Sequence, residues 1–377
     1  MENKTLVSLV SEQTIPNIEL IKEFAQSITK YVFITTKQMN KQLQWIINAT
    51  DLNKDIFDII EVNPFDTEDI ENRINAYNFG DDDLMLNITG GTKLMSLVVS
   101  ELFKNLLAKS YYVTGKDKTY IKVFPNRGER IFKLKHNLSL KEYLTGYGFE
   151  FEETKTLHDI KTAENIFNKY INLSTDEQKS LFEPVRIRRG RNMDIEKNSP
   201  LYIFLKEAGY PFENKLNKKD TKYLSGDWLE EYIYFKLKEE LKLNDKEIAT
   251  GLNLKKENTP NEIDVIFIYD HKLYIIECKT SIIALQTIKR IRNGVEVEEQ
   301  KEIKLLPEII YKSDALRNKF GLFAKTYILT LEEIKTEAGE PIEGYQTHFD
   351  RAELSRINII SKRDLTSSKQ IRELLNI

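Results

Sequence analysis

Apolar and polar positions alternate along the first third of the chain so as to predict strands and helices in turn. Residues 5–10 form a short β-branched run, and the polar loop Ser11-Glu12-Gln13-Thr14-Ile15-Pro16 separates it from a helical stretch over 17–29. Strands are predicted at 31–35, 57–62 and 84–88, with a helix over 38–50 between the first two. Pro64 marks a turn, and Asp66 is placed to cap the helix that follows it. An apolar helix over 94–107 comes next, then closing strands at 110–114, 120–124 and 130–134 with a turn at 125–128. This spacing predicts an α/β domain with a mainly parallel sheet.

The pattern changes near residue 145. Residues 138–180 are polar and helical in character, with Gly146 and Gly148 as a break. A helix over 227–241 follows, with Leu229, Ile233, Leu237 and Leu241 as its apolar stripe. Beyond it lies a hairpin. Ile263, Val265 and Phe267 alternate with Asp264, Ile266 and Ile268, the chain turns at 269–272, and 273–278 form a second apolar strand. A helix over 281–292 is expected to carry Lys289, Arg290 and Arg292 as a small basic patch, then a helix over 305–319 and a strand over 326–330. The expected division is a first domain over 1–145, a helical connector over 146–215 and a second domain over 216–377.

Composition narrows the function. A chain of 377 residues, 41% apolar and 31% charged, has material for more than one core. Its net charge of −3 excludes attraction of nucleic acid over the whole surface, so any such contact must be local. The single cysteine, Cys278, forbids an intrachain disulfide and fits a reducing compartment. With no 18-residue apolar run and no signal peptide, a cytoplasmic protein without membrane contact is expected.

Two stretches carry candidate chemistry. At the end of the fourth predicted strand stands Asn87-Ile88-Thr89-Gly90-Gly91-Thr92-Lys93, just before a helix. Two glycines allow close backbone approach, free N–H groups point out of the helix start, and Thr89, Thr92 and Lys93 add hydroxyls and charge, the makings of an anion site. An ordinary strand-to-helix turn is the alternative for this loop alone. It is neither a Walker A loop nor GxGxxG. The polar loops at 11–14 and 35–37 fall at the same sheet edge, where open α/β sheets bind ligands.

This segment resembles the CARF domain, a Rossmann-like sensor of cyclic oligoadenylates. The resemblance implies that Ser11, Gln13, Thr14, Thr89, Gly90, Gly91, Thr92 and Lys93 line a ligand pocket. It also implies a homodimer, with the ring-shaped ligand on the two-fold axis.

The second stretch is the hairpin, which sets Asp264, Glu277 and Lys279 among apolar residues. Residues 277 and 279 share a strand face, and Asp264 can lie across from Glu277. Two acids beside a lysine suit a hard divalent cation; a salt-bridged strand pair would use the same residues. The spacing resembles the PD-(D/E)xK nucleases, whose restriction-endonuclease-like αβββαβ core also expects an upstream glutamate, here Glu230. Ile263 departs from the proline usual before the aspartate. By resemblance Glu230, Asp264, Glu277 and Lys279 are catalytic, and Asp264, Glu277 and the Cys278 carbonyl hold Mg²⁺ or Mn²⁺.

Arg186, Arg188, Arg189 and Arg191 form the densest basic run, read either as a solvated loop or as a phosphate-contacting arm. Lys312 is a second such candidate. Together the halves resemble the CARF–nuclease ancillary effectors of type III CRISPR systems. That implies a metal-dependent endonuclease of low specificity acting on single-stranded DNA, with RNA as a further substrate, activated by cyclic oligoadenylate, cyclic tetra-adenylate first. The alternatives are a sensor whose nuclease-like fold binds nucleic acid without cutting, or a nickase of double-stranded DNA.

Overall fold

A computed structural model describes residues 3–115, 117–123, 128–153, 157–257, 259–292 and 295–377. In the first half, strands β1 (Lys4–Leu9), β2 (Lys30–Thr35), β3 (Phe57–Glu61), β4 (Asp83–Asn87) and β5 (Lys109–Val113) are parallel, and β6 (Thr119–Val123) and β7 (Ile131–Lys133) extend the sheet antiparallel. The strand order β3-β2-β1-β4-β5-β6-β7 reverses direction between β1 and β4. Helices α1 (Ile15–Phe24), α2 (Asn40–Thr50), α3 (Thr67–Ala76) and α4 (Lys93–Asn105) connect the parallel strands. Asp66 caps α3 by accepting from Asp69 N–H. The turn expected at 125–128 falls mostly outside the described residues.

Helix α5 (Leu140–Gly146) starts with a Ser139/Glu142 capping box. Strand β8 (Glu150–Glu153) then crosses into a second sheet of order β17-β16-β13-β12-β11-β8. Helices α6 (Ile160–Tyr170) and α7 (Thr175–Ile187), strand β9 (Met193–Asp194), helix α8 (Pro200–Glu207), strand β10 (Lys215–Leu216) and helix α9 (Lys218–Lys222) lead to α10 (Trp228–Glu240). The central strands are β11 (Ile248–Lys256), β12 (Thr259–Tyr269) and β13 (Lys272–Lys279). Among the described residues, strands β14 (Ile283–Arg292) and β15 (Val295–Lys304) form a separate two-stranded sheet. The chain ends through α11 (Leu306–Arg317), β16 (Lys325–Thr330), α12 (Gln346–Leu354), β17 (Ile357–Ile360), α13 (Lys362–Leu365) and α14 (Ile371–Leu374). The run α10-β11-β12-β13-α11-β16 gives the αβββαβ core.

The helix expected over 281–292 is instead strand β14, half of a long hairpin. Asn293-Gly294, lying between the two strands in sequence, is a strong hairpin signal, and it outweighs the helical spacing of the charges. Arg290 is exposed, and the side chains of Lys289 and Arg292 lie outside the described residues.

The two sheets share a core. Ile18, Leu144 and Phe149 from the front half cluster with Leu252, Ile266, Ile275 and Phe320 from the back. Across this seam Tyr143 donates to the Phe320 carbonyl at 3.0 Å, and the Phe149 and Phe320 rings stack with centroids 4.4 Å apart. Buried Glu19 of α1 pairs with the His271 ring, whose other nitrogen faces the His136 carbonyl at 3.1 Å. Among the described residues no helix is long and apolar enough to cross a membrane.

Candidate functional site

The β12–β13 hairpin turns through Asp270 and His271, both with positive φ (46° and 62°). That is the backbone of a two-residue loop matched to strand twist. The register pairs Val265 with Ile276, which brings Asp264 opposite Glu277 on one face. The other face, with Val265, Ile276 and Cys278, is packed in the core under α10.

The two carboxylates are buried, and one ammonium joins them. Lys279 Nζ lies 2.8 Å from Asp264 Oδ2, 2.8 Å from Glu277 Oε1 and 3.1 Å from the Cys278 carbonyl, to which it donates. Asp264 Oδ2 also accepts from Cys278 N–H at 2.7 Å. Lys312 Nζ, reaching from α11, stands 3.5 Å from Glu277 Oε1. Burial works against the charge on Lys279, but Asp264 and Glu277 outweigh it and hold its pKa well above the usual lysine value. Burial pushes the Cys278 thiol far up, and the carboxylates of Asp264 and Glu230 add to this, so it stays a protonated core residue.

Among the described residues no three His, Cys, Asp or Glu side chains gather as a metal site. The donor set is two carboxylates and one backbone carbonyl, and Lys279 Nζ stands where their oxygens converge. Hard oxygens around a position already suited to a cation fit Mg²⁺ or Mn²⁺, which takes one or two carboxylates and fills its remaining sites with water and substrate oxygens.

Glu230 lies half-buried in the first turn of α10. By sequence Ser225-Gly226-Asp227 stands where a cap for this helix is expected, but Asp227 makes no side-chain cap hydrogen bond. A π-type turn, Tyr223–Asp227, precedes α10 instead, and its polar groups are taken up by Arg189. Arg189 donates to Asp227 Oδ1 at 2.9 Å, to the Lys222 carbonyl at 3.1 Å and to Ser225 Oγ. The Thr280 hydroxyl donates to the Ser225 carbonyl at 3.2 Å, tying the end of β13 to the same turn. Of the basic run, Arg186 therefore contacts Tyr170 and Glu183, Arg189 braces the turn before Glu230, and Arg188 and Arg191 are exposed.

A second region lies in the front half. At the carboxyl ends of β1 and β4, where the strand order reverses, is a cavity of about 560 Å³. Ser11, Gln13, Thr89, Gly91 and Thr92 line it. Thr92 caps α4, accepting from Met95 N–H at 3.1 Å, and Gly91 takes φ 75°. The other three residues expected there do not line it. Thr14 is fully buried and donates to the Gly146 carbonyl at 2.5 Å. Gly90 packs on the end of β1, where an added Cβ would lie 2.1 Å from the Leu9 carbonyl oxygen. Lys93 points into solvent from the first position of α4.

Thr36, from the 35–37 loop expected at this edge, lines the cavity too, and residues absent from the sequence reading add to the walls: Gln38, Phe65, Tyr112, Gly115, Leu322 and Phe323. The polar run after β2 pointed toward Thr36 and Gln38. Nothing local in the sequence pointed to Leu322 and Phe323.

Residues 5–143 match the family model of the Card1 CARF domain, and residues 217–373 match that of the Card1-like endonuclease domain. The chain joins a CARF domain to an endonuclease domain. Most of the cavity's lining falls in the CARF domain, with Leu322 and Phe323 added from the endonuclease domain, which also holds Asp264, Glu277 and Lys279. The arrangement is similar to Can2 from Sulfobacillus thermosulfidooxidans in complex with cyclic tetra-adenylate, at 20% identity and a TM-score of 0.70 over 99% of this chain and 98% of that one. It is also similar to protein VC1899 from Vibrio cholerae, at 15% identity and a TM-score of 0.72 over 96% and 95%. A comparison with the curated proteins finds no match.

Proposed function

We propose that the chain is a metal-dependent endonuclease of low sequence specificity, cutting single-stranded DNA and also RNA in the cytoplasm, and switched on by cyclic oligoadenylate in the front cavity. One observation supports the nuclease reading above others: Asp264, Glu277 and the Cys278 carbonyl converge on a single cation-sized position, held by Lys279 Nζ at 2.8, 2.8 and 3.1 Å. These three groups would hold Mg²⁺ or Mn²⁺, which when bound supplies a Lewis acid at the scissile phosphate and lowers the pKa of a water. Lys279 offers its ammonium to the charge that grows on the phosphate oxygens. Glu230, at the start of α10, orients the attacking water. Lys312 and the exposed Arg188 and Arg191 supply local positive charge for the strand, which a chain of net charge −3 needs.

In the cavity, the N-terminus of α4 and the Thr89 to Thr92 loop suit phosphate. The ligand proposed is cyclic tetra-adenylate, shared by two copies of the chain across a two-fold axis. The test is cleavage of labelled single- and double-stranded DNA and RNA with Mn²⁺, alone and with cyclic tri-, tetra- or hexa-adenylate. Single-strand cleavage that rises with the tetra-adenylate is expected; equal rates with and without every ring would reject the switch. Gel filtration with and without the ligand reads the dimer.

A further inference from the structure

One wall of the CARF cavity comes from the endonuclease domain. The chain between α11 and β16 runs past the cavity mouth, and Leu322 and Phe323 line it. Gln13 pins this segment: its Oε1 accepts from Leu322 N–H at 3.1 Å and from the Tyr147 hydroxyl at 3.0 Å. Bare backbone lets the pieces meet. A Cβ on Gly115 would lie 2.6 Å from the Phe323 ring, and one on Gly321 would lie 2.0 Å from the Tyr147 oxygen. Leu322 is nevertheless 69% exposed and Phe323 46% exposed, with Tyr112 of the same cavity 43% exposed. Large open rings facing a cavity beside a helix N-terminus combine a stacking surface for a base with donors for a phosphate.

The segment's flanks both lead to the nuclease site. Helix α11, before it, carries Lys312, 3.5 Å from Glu277. Strand β16, after it, pairs with β13 so that Ile328 faces Glu277 and Thr330 faces Lys279.

We propose that Phe323 of the endonuclease domain is a base-stacking residue of the CARF cavity, so that a bound ring touches the very segment whose two flanks reach Glu277 and Lys279. This rests on the reading of the cavity as a cyclic-oligoadenylate site. The experiment is calorimetric titration of cyclic tetra-adenylate into the full-length wild type, Phe323→Ala and Phe323→Trp, alongside the ligand concentration for half-maximal cleavage. Phe323→Ala should weaken binding by roughly 5- to 150-fold, the loss of one base–aromatic stack, and raise the half-maximal concentration by the same factor. Phe323→Trp should bind like the wild type, with its added indole fluorescence quenched on binding. Wild-type affinity in Phe323→Ala, or an unquenched indole in Phe323→Trp, would overturn the proposal while leaving the cavity's ligand intact. A wild type that fails to bind would instead remove the sensor reading, and this inference with it.

Discussion

The two sites are built on opposite principles. The proposed nuclease site is made of side chains on adjacent strands, Asp264 facing Glu277 and Lys279 two residues on, all fixed by ladder register. The CARF cavity is made of loop ends, where backbone N–H groups, glycines and short hydroxyl side chains from several connections meet. A register site is rigid because moving one residue means slipping a strand. A loop site adjusts more cheaply, as a site that must respond to a ligand requires. On the proposed function, catalysis would use the rigid part and sensing the adjustable part, with the seam between them as the route for the signal.

The widest separation between the two should appear in Glu277→Ala. Removing that carboxylate breaks the three-oxygen set, and cleavage should fall on the order of 1,000-fold, while cyclic tetra-adenylate binds as tightly as before. Unchanged cleavage would reduce the hairpin to a salt-bridged strand pair.

The seam is probed by His271→Ala. Glu19 would then lie buried at 4% exposure without its partner, a loss of about 3–5 kcal/mol, seen as an earlier urea midpoint. Unfolding that splits into two separate transitions would sharpen the comparison, showing that the Glu19–His271 contact joins domains able to melt apart.

A smaller effect is expected in acid. Burial raises the pKa of Glu142, but the His136 ring and the Ser139 N–H outweigh it and hold the carboxyl at about 2, with Lys22 3.2 Å away. Because its folded value lies below the ordinary carboxylate value, the stability it contributes is present above pH 4.5 and is lost as pH falls toward 2. Up to about 3 kcal/mol is at stake. Urea unfolding of the wild type and Glu142→Gln should differ at pH 6, draw together as pH falls through about 4, and converge only below about pH 2; parallel curves would remove Glu142 as the cause.

The same contrast decides what could be read from the sequence. Strands repeat every two residues, so the spacing of Glu277 and Lys279 and the turn at Asp270-His271 were enough to place Asp264 opposite Glu277. Loops have no period. The Asn87 to Lys93 run marked the right sheet edge, but which of its residues turn inward depended on packing: Gly90 against Leu9, Thr14 against Gly146, Lys93 out to water. Leu322 and Phe323 lie some 300 residues from Gln13 in the chain, and no local signal records a contact made only when two sheets share a core. Arg189 was visible as charge, but its task of bracing the turn before Glu230 depends on Ser225 and Asp227 folding back to meet it. Asn293-Gly294 was a local signal for the hairpin that the helical reading of 281–292 left out.

Strand β8 has a consequence for how such proteins can be shuffled. It belongs to the connecting stretch, yet it is hydrogen-bonded along Leu252 to Lys255 of β11 as the outermost strand of the endonuclease sheet. A recombination that carried residues 217–373 alone to a new partner would strip that border and leave β11 with open N–H and C=O groups, an invitation to pair with a stray copy. The heritable unit on this architecture is thus longer than the catalytic domain: an exchange that keeps the enzyme soluble must take the tether along with it.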